Sequence, residues 1–83
     1  MDLKEQNELQ ERKIRLFEEL LTLQYENGKV KIEKGKWDTL VVSEPDQTDV
    51  LYHAFGIMTL CEIVGLTAMV AKNAAGNPVI VIS

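Results

Sequence analysis

Apolar and polar positions follow two different periods along this chain, and the changes of period divide it into six elements. From Asp2 to Glu26 there is no glycine or proline and few β-branched residues. From Ile14 onward the apolar positions Leu16, Phe17, Leu20, Leu21 and Leu23 cluster as they do on a helix. A helix is predicted here, closed at Asn27-Gly28, where glycine can take the left-handed conformation. Before Ile14 only Leu3 and Leu9 are apolar. A helix of about 25 residues runs about 37 Å, longer than a small domain is wide. Its second half is therefore expected to dock on a core, while residues 1–13 project, fray or pair with another copy. Heptads are not sustained, which argues against a coiled coil.

The period then shortens. Two strands, Lys29–Glu33 and Lys36–Val42, flank Lys34-Gly35. A two-residue turn there pairs Ile32 with Trp37, Val30 with Thr39 and Lys31 with Asp38; a three- or four-residue loop is the alternative, since lysine is not the usual residue at the first turn position. Residues 43–48 (SEPDQT) form a polar connection. A second hairpin is predicted at the C-terminus, with strands Leu66–Lys72 and Val79–Ser83 joined through Asn73–Pro78. Val79-Ile80-Val81-Ile82 is apolar on both faces, which predicts an interior position in the sheet. Pro78 suits the start of a strand, where a missing donor does least harm.

Between the hairpins lies the most apolar segment, Asp49–Gly65. Plotted at 100° per residue, Val50, Ala54, Ile57, Cys61 and Val64 form one stripe, widened by Leu51, Met58 and Leu60, while Phe55 and Ile63 lie on the back. A helix this apolar needs cover on more than one face. Asp46 and Asp49 are the candidate caps at its start and Gly65 its stop. The sum is an α+β fold in the order α-β-β-α-β-β. One four-stranded, mainly antiparallel sheet is expected to pack against the long N-terminal helix and the apolar central helix, with residues 1–83 as a single small domain. Strand order is not specified by these patterns.

Composition narrows the function classes. A formal net charge of −4 disfavours general affinity for nucleic acid or anionic lipid. One cysteine allows no intramolecular disulfide, which points to a reducing cytoplasmic setting. The N-terminus is charged throughout, unlike a signal peptide, and the apolar helix, interrupted by His53 and Glu62, is short for a membrane span. His53 and Cys61 lie eight residues apart, about 12 Å along a helix, too far for a nucleophilic pair. With Glu62 they also lack the spacing of a zinc site. They read as structural residues, Cys61 as a small hydrophobe and His53 as a hydrogen-bonded boundary residue. Glu44, Asp46 and Asp49 read as a solvated loop and helix start. No catalytic set, cofactor or metal is implied.

What remains is apolar surface. The expectation is a small soluble protein-interaction or regulatory module, acting as a homo-oligomer without catalysis of its own, and meeting itself and another protein through Leu9, Leu16, Phe55, Gly56, Ile63, Val79 and Val81. Gly56, costly within a helix, marks a close approach of another backbone or a bend. Two alternatives stand beside this. One is a subunit of a heteromeric complex. The other is a single-stranded nucleic-acid binder using the basic first hairpin, Lys29, Lys31, Lys34 and Lys36 with Trp37.

Overall fold

The computed structural model describes residues 3–25, 28–36, 39–45 and 51–83. Six elements follow in the predicted order: α1 (Leu3–Gln24), β1 (Lys31–Lys34), β2 (Leu40–Ser43), α2 (Ala54–Val64), β3 (Ala68–Lys72) and β4 (Pro78–Ile82). The strands form one sheet in the order β1-β2-β4-β3, and every neighbouring pair is antiparallel. β4 is an interior strand, as its two apolar faces require. The two hairpins thus lie side by side. Exchanging the halves α1-β1-β2 and α2-β3-β4 carries the sheet order into itself, with the edges β1 and β3 trading places.

Both helices cover the same face of the sheet. One cluster joins Ile14, Phe17 and Leu21 of α1 and Ile57 and Cys61 of α2 to Leu40 and Val42 of β2 and Ile80 and Ile82 of β4. All three buried residues of α1 lie in its second half; Leu3 and Leu9 are exposed. The helices run antiparallel. Lys13 Nζ reaches the Gly65 carbonyl at the C-terminal end of α2 (3.4 Å), and Gln24 and Tyr25 lie over Gly56 near its start. A lysine at that helix end also meets the negative end of the helix dipole.

The main departures from expectation lie in the first hairpin, at the start of α2 and at the start of β3. β1 and β2 pair Ile32 with Val42 and Lys34 with Leu40. The ladder continues to Gly35, whose N–H donates to the Thr39 carbonyl (2.8 Å), so the longer loop is adopted instead of the two-residue turn. A two-residue turn would have turned Thr39 and Val41 toward the helices; the observed register turns Leu40 and Val42 there and buries both. Lys31 consequently pairs with Ser43, while Trp37 and Asp38 lie outside the described residues. α2 begins at Ala54 instead of Asp49, with Leu51–His53 forming a turn ahead of it; Asp46, Asp49 and Val50 lie outside the described residues. β3 begins two residues later than predicted, at Ala68, because residues 65–66 close α2. Gly65 takes φ 88° and donates to the Cys61 and Glu62 carbonyls, and the Leu66 N–H also bonds Cys61 O (2.9 Å).

The second hairpin turns through an ordinary loop. Asn73 Oδ1 accepts from the N–H groups of Ala75 and Asn77, both at 3.0 Å, and Gly76 supplies a φ of 85°.

Candidate functional site

The chemically richest cluster sits where β2 ends and α2 begins. Glu44, the first residue after β2, is only 4% exposed, contrary to its reading as a solvated loop residue. Its Oε2 accepts the His53 N–H (3.1 Å), and its Oε1 lies 2.6 Å from His53 Nδ1. His53 occupies the N-cap position of α2 but makes no side-chain cap bond itself. The capping acceptor comes from another element, which places a carboxylate at the positive end of the helix dipole. Tyr25, just past α1, packs edge-on against the His53 ring with centroids 4.7 Å apart. Burial raises the Tyr25 phenol above its ordinary 10.0, and the nearby charge of Glu44 adds to the rise. His53 is the half-buried, hydrogen-bonded boundary residue expected of it.

This cluster is a joint holding α2 to β2 and α1. A carboxylate beside an imidazole is also part of many catalytic sites; where such a pair activates a side-chain nucleophile, that group lies within hydrogen-bond reach. Cys61 is buried two turns further along α2, out of hydrogen-bond reach of His53, and burial raises its thiol above the ordinary 9.0. No group of three or more His, Cys, Asp or Glu residues able to hold a metal occurs among the described residues. A groove between α1 and the first hairpin is lined by Glu11, Arg15, Glu18 and Lys34, a mixed set of charges among the described residues.

The predicted interaction residues are distributed over both sides of the molecule. On the helical layer, Phe55 is 88% exposed, and Ile63, Leu9 and Leu16 also face solvent. Leu23 and Tyr52 join them. Leu9, Leu16 and Leu23 recur every seventh residue on the side of α1 away from the core, a second stripe that the sequence did contain. Gly56 does not lie on this outer surface. A Cβ there would meet the Tyr25 hydroxyl, so the close neighbour is a side chain of the same molecule. Val79 and Val81 lie on the opposite side of the sheet, with Val41, Met69 and Ala71, where no described helix covers them. Val79 is buried there and Val81 half-buried. Met69 and Val70, not among the expected contact residues, are exposed on the edge strand β3. Two adjacent apolar residues that break the in–out alternation were their signal.

The lysines of the first hairpin are exposed but do not share a face. Lys31 and Glu33 project from the open side of the sheet and form an ion pair at 2.8 Å, whereas Lys34 points to the helix side beside Glu18. Trp37 lies outside the described residues. No described helix is long and apolar enough to cross a membrane. Comparison with known protein families, curated proteins and solved structures finds no match for this chain.

Proposed function

We propose that the chain is a protein-interaction module that acts as a homo-oligomer, with a regulatory or scaffolding role and no catalysis of its own. The observation carrying this reading is the exposure of large apolar side chains: Phe55 and Ile63 along α2 with Tyr52 in the turn before it, Leu16 and Leu23 along α1, Met69 and Val70 on β3. Single exposed hydrophobes are common, but so many on one small chain mark contact surface. In the Glu44–His53–Tyr25 cluster both Glu44 oxygens are engaged by His53 at the start of α2, a positioning role that accords with the non-catalytic reading. The lysines are divided between two faces and partly neutralised, which favours protein over nucleic acid as partner. A buried free thiol at Cys61 suits a reducing cytoplasmic setting. Sedimentation equilibrium at micromolar concentration tests the reading. A mass that is a multiple of 9.4 kDa is expected. A 9.4 kDa species would overturn self-association and shift the role to a subunit of a heteromeric complex.

A further inference from the structure

We propose that the outer edge of β3 is the contact between copies, with β3 pairing antiparallel to β3 of a second molecule about a twofold axis at Val70. This names the surface for the self-association read above and rests on that reading. Hydrogen bonds fix the direction of the backbone groups. Thr67 N–H donates to the Ser83 carbonyl (2.8 Å), Ser83 N–H donates back to Thr67 (2.9 Å), and Asn73 N–H donates to Asn77 (2.9 Å). In an antiparallel ladder, alternate residues direct their N–H and C=O to opposite sides. Residues 67, 69, 71 and 73 therefore bond toward β4, and Ala68, Val70 and Lys72 direct theirs out of the sheet.

An unpaired row of this kind accepts an extended strand, and edge strands that must stay free carry charges. The two edges of this sheet differ in that respect. Lys31 lies across from Ser43 and Met69 across from Val81, so β1 and β3 hold equivalent positions in their halves. β1 presents Lys31, Glu33 and Lys34; β3 presents Ala68, Met69, Val70 and Ala71 before its single charge at Lys72. Met69 is 63% exposed on one side of the strand and Val70 53% on the other.

A second copy fits this edge because the edge is complementary to itself. With Val70 opposite Val70, Ala68 falls opposite Lys72, and all three outward residues meet outward residues of the partner. A register displaced by two residues leaves one outward residue unmatched, and one displaced by a single residue sets outward groups against inward ones. The helical layer agrees. α2 contacts both α1 and β3, and its Gly56 side faces Tyr25 and Gln24 at the end of α1. At 100° per residue Met58 then lies on the flank away from α1, on the β3 side, with Phe55 on its outer shoulder. Joining two β3 edges brings two such flanks together over paired Val70 side chains.

The test uses full-length chains carrying Val70→Lys or Val70→Glu, which place like charges against each other at the axis. Each alone is expected to self-associate roughly tenfold or more weakly than the parent chain, and an equimolar mixture of the two to recover the complex. Circular dichroism checks that both variants fold. Amide hydrogen exchange on the unmodified chain gives an independent measure. Protection at Ala68, Val70 and Lys72 should rise roughly tenfold or more with protein concentration, while Thr67, Met69 and Ala71 stay protected throughout. If both charged variants associate like the parent, the β3 contact is overturned while self-association stands. A monomeric parent with freely exchanging amides at Ala68, Val70 and Lys72 overturns both, and leaves the edge to a strand from another protein.

Discussion

A methyl group added at Gly56 would collide with the Tyr25 hydroxyl, whereas the next nearest atoms, Tyr25 Cζ at 3.5 Å and Gln24 Nε2 at 3.7 Å, are at ordinary contact distance. One oxygen therefore decides whether alanine is tolerated. Gly56→Ala alone is expected to destabilise the fold, because the phenol must leave its place against His53. In a Tyr25→Phe background the same change should stabilise by up to about 1 kcal/mol, the helix-propensity difference between glycine and alanine. Urea unfolding of the four proteins forms a double-mutant cycle, and equal effects of Gly56→Ala in both backgrounds would show that Tyr25 is not the obstacle. The sequence marked Gly56 for the close approach of another backbone or for a bend, whereas its close neighbour is the Tyr25 side chain. Tyr25 is distant along the chain, and its position follows from how α1 lies on α2. Cys61 was legible because its neighbours on the wheel, Ile57 and Val64, defined a buried stripe without reference to any other element.

At the scale of elements, α2 depends on a cap borrowed from the end of β2. Glu44→Ala removes the acceptor for the His53 N–H and the partner of its Nδ1 in a buried place. A loss of about 1–3 kcal/mol is expected, read as a lower urea midpoint with unchanged slope. A midpoint equal to that of the parent would show that the cap contributes nothing. The sequence pointed instead to Asp46 and Asp49, the acidic residues nearest the helix in the chain. Capping rules are local, and this cap is tertiary: the carboxylate reaches α2 from across a connection. The first hairpin shows the same limit. Its two strands were legible, but the choice of loop was settled by which of two alternating sets, Thr39 and Val41 or Leu40 and Val42, met the helices. The second hairpin was more legible, since the Asn73–Gly76 turn and the continuous apolar run of β4 are local signals.

For the molecule as a whole, the α-β-β-α-β-β order and the antiparallel sheet were legible from periodicity, while the β1-β2-β4-β3 order was not. It depends on a pairing between β2 and β4 that no local pattern encodes. Global stability should carry an alkaline signature. Burial raises the thiol of Cys61 and the phenol of Tyr25 above their ordinary 9.0 and 10.0. A folded state that holds a proton more tightly than the unfolded chain keeps that stabilisation below the ordinary value and loses it as pH rises through the raised one. Stability from these two groups is thus constant at neutral pH and falls above about pH 9, first through Cys61 and then through Tyr25. Denaturation midpoints measured across that range should fall less steeply for a Cys61→Ala, Tyr25→Phe chain.

If copies join through β3 as proposed, the unlike edges of the sheet would also limit their number. A sheet with two receptive edges can add copies without end, whereas one receptive edge and one charged edge allow a single addition and then stop. Under the proposed β3 contact, Lys31, Glu33 and Lys34 would act as a terminator at the rim farthest from β3. Replacing Lys31 and Glu33 by valine would give both edges the same character. The expected outcome is open-ended growth, visible as light scattering that rises with time and concentration, from a chain whose core is untouched. A variant that stays a discrete particle would show that the β1 charges do not limit assembly.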